Sequence, residues 1–135
     1  MKVLIIDGQG GGIGKSIVAE MRAKNIAAEI IAVGTNAYAA SAMQKAGADK
    51  SATGENAVLV NVPEADIITG PIGIVMANSL MGEITAKMAQ AVSSCKALKV
   101  LIPLNKCGTV VAGAEGGTLS QNITEAVNII ARGVN

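Results

Sequence analysis

The sequence predicts an α/β protein: a Rossmann-like, doubly wound, mainly parallel sheet flanked by helices, in a single domain over residues 1–135. Three observations predict it. Short runs of Val, Ile and Leu alternate with longer stretches of helical period, which is the pattern of successive βαβ units. Apolar residues make up 50% of the chain, yet it holds one Tyr and neither Phe nor Trp, so its core is built from small and branched side chains that suit helices laid closely on parallel strands. Sixteen glycines against three prolines fit a fold whose tight strand-to-helix turns consume glycine. At 135 residues the chain can enclose one core without disulfide or metal.

The elements follow in order. Residues 3–6 are an apolar run ended by Asp7-Gly8, and residues 14–24 carry Ile17, Val18 and Met21 on one helical face. Residues 29–33 form the second strand, Gly34-Thr35-Asn36 the turn, and residues 37–46 an alanine-rich helix stopped by Gly47. This completes a strand, crossover helix and parallel strand, and the pattern then repeats. Residues 48–51 are the third strand. Residues 53–63 have both strand and helix features, and connectivity decides for a short helix, because a strand ending at Val62 would leave too few residues for a parallel crossover to residues 67–69. After Gly70-Pro71 the sequence predicts a long helical region broken near Gly82, with Thr85 capping a second piece to about Ser94. Residues 98–104 are the next strand. The last third is expected to hold a short edge strand at Val110-Val111 and a closing helix over residues 119–131.

Composition excludes several function classes. Eleven basic and ten acidic residues give a net charge of +1 with no basic run, so the footprint of a nucleic-acid partner or an anionic membrane is missing. The longest charge-free stretch, residues 67–82, is interrupted by Gly70, Pro71, Gly73 and Asn78 and falls short of the roughly 20 apolar residues of a spanning helix. The N-terminal apolar run is too short for a signal peptide, so the cytoplasm is the expected compartment. Cys95 and Cys107 lack a C-x-x-C spacing and the chain has no His, so no metal site is expected and the thiols read as idle.

The segment Asp7-Gly8-Gln9-Gly10-Gly11-Gly12-Ile13-Gly14-Lys15-Ser16 joins the first strand to the first helix. There, unpaired helix amides and the positive end of the dipole favour an anion, and glycines keep side chains out of its way. The fingerprint G-x-G-x-x-G fails, since its third glycine would fall on Ile13 or Lys15. Gly8, Gly12, Ile13 and Gly14 meet the variant G-x-x-x-G-I-G in full, a spacing that resembles the short-chain dehydrogenase/reductase family over the first two dozen residues. That resemblance implies a loop cupping a cofactor pyrophosphate. The family's Tyr-x-x-x-Lys would have to start at Tyr38, but Ala42 stands where Lys is required. The ending Gly14-Lys15-Ser16 also resembles a P-loop, although Gln9 occupies its first glycine position and the later strand ends at Gly34, Gly70 and Asn105 offer no acid for Mg²⁺.

As a whole the chain resembles a family of short, functionally uncharacterised bacterial proteins, a domain of unknown function. The resemblance rests on residues 7–15, on Gly34-Thr35-Asn36-Ala37, on Ala52-Thr53-Gly54-Glu55-Asn56-Ala57, on Gly70-Pro71-Ile72 and on Gly82-Glu83-Ile84-Thr85, and extends to about Asn105. It implies a compact nucleotide-binding-like fold and no particular chemistry.

In open parallel sheets ligands sit beyond the carboxyl ends of the strands. The expected cofactor site therefore comprises Asp7, Gly8, Gln9, Gly10, Gly11, Gly12, Ile13, Gly14, Lys15 and Ser16, with Gly34, Thr35 and Asn36 toward a ribose, and Gly70, Pro71 and Asn105 toward a base or nicotinamide ring. Asp7 is expected to hold loop amides rather than ligand. Acid-base candidates are Asp7, Glu55, Glu83, Lys15 and Lys106, and none forms a nucleophile-base pair by spacing. The expected function is the binding of a small-molecule nucleotide, NAD or NADP, as a sensor or minimal oxidoreductase. Two alternatives stay open: a structural or regulatory oligomer whose loop takes a small anion or nothing, and a degenerate P-loop protein. The positive mean hydropathy of +0.47 further suggests a homo-oligomer, most simply a dimer, in contact through residues 67–82 and 37–46.

Overall fold

A computed structural model describes residues 1–104 and 108–134. Five strands, β1 (Lys2–Asp7), β2 (Glu29–Gly34), β3 (Lys50–Thr53), β4 (Ile67–Pro71) and β5 (Leu98–Ile102), pair in parallel in the order β3-β2-β1-β4-β5. The order reverses at β1, whose neighbours β2 and β4 lead the chain to opposite edges. This puts the carboxyl ends of β1 and β4 at the crevice where open α/β sheets take their ligands.

Strand side chains alternate between two cores. Val3, Ile5, Ile30, Ala32 and Ile67 face α1 (Gly12–Ala23), α2 (Ala37–Ala46) and α5 (Leu119–Val134), whereas Leu4, Ile6, Ile31, Val33 and Ile68 face α3 (Glu55–Asn61) and α4 (Ala86–Ser94). Both faces of a parallel sheet are covered by its crossovers, which is why these strands read as unbroken apolar runs. The helix starts follow their caps: Asn36 accepts from the Ala39 N–H at 2.8 Å, and Thr85 Oγ1 from the Met88 N–H at 3.2 Å. Tyr38 stays at the surface, 74% exposed.

The fold is the Rossmann-like α/β architecture that the sequence predicts, with three local corrections. Residues 72–84 do not form a helix; a single 3₁₀ turn (Ile72–Val75) is followed by turns through residue 84. Gly73 and β-branched Ile72, Ile74 and Val75 oppose a helix there, and Asn78, Leu80, Met81 and Gly82 all take positive φ. Val110 and Val111 lie in no strand; Val110 is 66% exposed, so nothing buries a strand face at that point. The third strand is shifted to Lys50–Thr53 and the fifth ends at Ile102. Of the two surfaces expected to make a dimer, β4 and the Ala39, Ala40 and Met43 side of α2 are buried within the chain, while Tyr38 and Met81 stay exposed.

Candidate functional site

The loop after β1 is held from inside by Asp7. Its carboxylate, 4% exposed, accepts from the Gly8 N–H at 2.8 Å and from the Gly14 N–H at 2.7 Å. Burial pushes the Asp7 carboxyl above its ordinary range, against the pull of the Gly14, Gly8 and Ile13 amides and with the neighbouring Glu83 charge adding to the rise. Asp7 thus takes the amide-holding role expected of it.

The five loop glycines fall into two groups. A Cβ on Gly8 would lie 2.6 Å from Thr35 Oγ1, one on Gly11 2.8 Å from the Ala39 Cα, and one on Gly14 would run into Met43. Gly11 also adopts φ 71°, a left-handed conformation that caps α1 without side-chain cost. Gly10 and Gly12 differ on every count: no atom lies within 4 Å of a Cβ placed there, and neither has positive φ. Among the described residues their N–H groups donate to nothing, whereas the Gly11 N–H bonds the Gly8 carbonyl at 2.9 Å. Two bare, unpaired amides therefore face open space at the N-terminus of α1.

They border a hollow of about 270 Å³ lined by the loop together with Pro71, Leu80, Leu104 and Leu119. A second hollow of about 110 Å³, between Ile72, Met76 and Met81, shares Gln9, Leu80 and Leu104 with it. Larger concavities exist elsewhere, one between α1 and α2 and one under α3 and α4. The first is lined by the exposed side chains of Lys15, Tyr38, Ser41 and Lys45 on the two helices, and neither lies at the carboxyl ends of the strands, where the glycine cleft does.

Other expected site residues are placed as follows. Ile13 lines the cleft, while Ser16 is exposed on α1. Lys15 lines the hollow between α1 and α2 beside Tyr38 and Lys45. Gly34 lets α2 start close to the sheet, since its Cβ would lie 2.5 Å from the Ala40 nitrogen. Thr35 Oγ1 is buried beside Glu83, whose ionisation its hydroxyl favours. The bare side of Gly70, at φ 148°, faces the Ile6 carbonyl in β1 rather than the cleft. Glu55 accepts from Thr85 Oγ1 at 2.6 Å and ties α3 to α4. Asn105, Lys106 and Cys107 lie outside the described residues. Among the described residues no group of three or more Cys, Asp or Glu side chains could hold a metal ion.

Sequence reasoning assigned Glu83 no role beyond that of a possible acid-base group within a family-like segment; the structure gives it a place. Its Oε1 accepts from the Gln9 N–H at 2.7 Å and its Oε2 from Asn36 Nδ2 at 2.8 Å. Burial opposes its ionisation, but the Asn36 amide, the Gln9 N–H and the Thr35 hydroxyl together outweigh it and hold Glu83 below the ordinary carboxylate range. Asn36 Nδ2 also donates to the Gln9 carbonyl at 3.0 Å. Glu83 and Asn36 therefore brace the outer rim of the loop against the end of β2.

A family model described as a domain of unknown function, DUF3842, matches residues 2–135. The chain belongs to DUF3842. The match runs beyond residue 105, where the resemblance read from the sequence ends, and so takes in α5 as well. A comparison with curated proteins finds no match. Among solved structures, the DUF3842 chain is similar to the crystal structure of AibC at 18% identity, with a TM-score of 0.45 over 98% of this chain and 39% of that one. The chain thus spans about two fifths of AibC, and the fold of this DUF3842 member rests on its own strand order.

Proposed function

We propose that this DUF3842 protein binds a dinucleotide, NAD or NADP in type, with the pyrophosphate on the Gly10 and Gly12 amides. The observation that carries the reading is that these two glycines have no structural reason to be glycine: they need neither left-handed backbone nor close packing. A side chain there would only intrude on whatever approaches the unpaired amides. The loop's place between β1 and β4, at the reversal of strand order, supports the same reading. The ligand would extend from the loop toward β2 on one side and toward Pro71 and Ile72 on the other. A nicotinamide cofactor bound there supplies hydride transfer; this chain's residues supply its cradle, as a sensor or a minimal oxidoreductase.

A P-loop reading is less well supported, because Lys15 lines the hollow between α1 and α2 and not the cleft bordered by Gly10 and Gly12. Homodimerisation remains a proposal from composition alone, tested by sedimentation at micromolar concentration against the 13.5 kDa of one chain.

Thermal unfolding with NAD(H) and NADP(H) tests the main reading. A dinucleotide at 100 times its Kd stabilises the fold by about 2.7 kcal/mol. Gly12→Val is expected to unfold within about 1 kcal/mol of the parent, since only helix propensity changes, and to lose that response. A Gly12→Val protein that still binds would refute the assignment of the loop.

A further inference from the structure

The turn at the end of β2, Gly34-Thr35-Asn36, carries no acid, although a dinucleotide fold commonly places there the carboxylate that holds the adenosine ribose. The structure brings one in from another part of the chain. Glu83, on the connection between β4 and α4, reaches the gap between the tips of β1 and β2 and fastens to Gln9 on one side and Asn36 on the other. Both partners are themselves fixed, because Asn36 Oδ1 caps α2 through the Ala39 N–H and its Nδ2 also holds the Gln9 carbonyl.

The connection is shaped to deliver this carboxylate. Four residues of left-handed backbone, Asn78, Leu80, Met81 and Gly82, turn the chain back over the sheet. The turn is pinned at both ends: the Asn78 N–H bonds the Ile84 carbonyl at 2.7 Å, the Ile84 N–H bonds the Ser79 carbonyl at 3.2 Å, and buried Ser79 donates its hydroxyl to the Gly73 carbonyl. Non-glycine residues hold such backbone only where surrounding structure over-determines it. Met81 gains nothing by burial, being 92% exposed. What the turn achieves is the placement of buried Ile84 and of Glu83 beside it.

We infer that Glu83 is the ribose-selecting residue of the site, accepting the 2′ and 3′ hydroxyls of an unphosphorylated adenosine ribose and excluding a ribose that carries a 2′-phosphate. The inference rests on the dinucleotide reading and narrows it to NAD. Each Glu83 oxygen accepts one protein donor and keeps a lone pair, so two adjacent hydroxyls can be taken by the pair. Asn36, Gln9 and the Thr35 hydroxyl favour the charged carboxylate, and a 2′-phosphate in the same corner brings like charge against it. Among the described residues no Arg lies at the end of β2 to offset that repulsion.

Isothermal calorimetry of the full chain with NAD⁺ and with NADP⁺, for the parent and for Glu83→Gln, tests this. The parent is expected to bind NAD⁺ about tenfold or more tightly than NADP⁺, and Glu83→Gln to bring the two affinities within about threefold, mainly by gaining NADP⁺ affinity. Equal affinities in the parent, or a ratio unchanged in Glu83→Gln, would overturn the inference while leaving the dinucleotide reading in place. An equal loss of both affinities in the variant would also overturn it, since that is the signature of a carboxylate that only braces the loop. Binding of neither dinucleotide to the parent would remove the reading beneath it. The parent ratio needs no variant, so a misfolded Glu83→Gln leaves the test intact.

Discussion

The glycine loop has an inner and an outer wall, and the same residue type serves opposite needs on each. On the inner wall, Gly8, Gly11 and Gly14 are glycines because protein atoms occupy the space of a side chain, and Asp7 takes up the amides of Gly8 and Gly14. On the outer wall, a Cβ on Gly10 or Gly12 would meet no atom within 4 Å, and among the described residues their amides are unclaimed. The two carboxylates follow the same division. Asp7 lies inside, with its ionisation opposed by burial, and Glu83 lies at the rim, with its ionisation favoured by Asn36, Gln9 and Thr35. Glycine richness alone therefore does not argue for a phosphate site, and the proposed one rests on the part of it that packing leaves unexplained.

The comparison is broken most severely on the inner wall. Gly14→Val forces a branched side chain into Met43 and the Asp7 Cβ, and overpacking with displacement of the buried carboxylate is expected to cost about 3 kcal/mol or more. Urea unfolding reads this directly, and a parent-like midpoint would show that the inner wall yields as easily as the outer one. Next in size is Asp7→Ala, which leaves the Gly8 and Gly14 N–H groups without their acceptor. Its expected cost near neutral pH is about 2 kcal/mol, partly offset because a buried carboxylate no longer has to be ionised.

The smallest effect sharpens the comparison through its sign. The folded Asp7 carboxyl has a raised pKa, so the stability it contributes is complete below its unfolded value and is lost as pH rises through the folded one. Glu83 is the reverse: its contribution is present above its unfolded value and is lost as pH falls through the depressed folded one. The deficit of Asp7→Ala relative to the parent should accordingly grow on acidification, while the smaller deficit of Glu83→Gln should shrink. Unfolding curves collected from neutral pH down through the carboxylate range measure both, and parallel trends would contradict the division of roles.

Much of this was legible in the sequence because it is local. Strands β1, β2 and β4 are short branched runs, and the starts of α2 and α4 carry Asn36 and Thr85, whose side-chain oxygens do the capping. The glycine loop could be placed because a strand precedes it and a periodic helix follows. Residues 72–82 misled because their lack of charge reflects burial of Ile74 and Ser79 within turns, not a helix face. Leu80 and Met81 at positive φ defeat propensity, which assigns left-handed backbone to Gly and Asn. The position of Glu83 was hidden for the same reason: it meets Gln9 across 74 residues of sequence, and only that turn brings the two together.

The aromatic-poor core also makes the molecule almost silent in the near-ultraviolet. With neither Trp nor Phe, and its one Tyr at the surface on α2, it has no indole to report on its interior. Loss of core packing would leave its emission nearly unchanged, so unfolding has to be followed by circular dichroism or calorimetry. The same darkness is an advantage for ligand work: the emission of a reduced nicotinamide would stand against very little protein background, and any change in it on binding would report the cofactor's own surroundings.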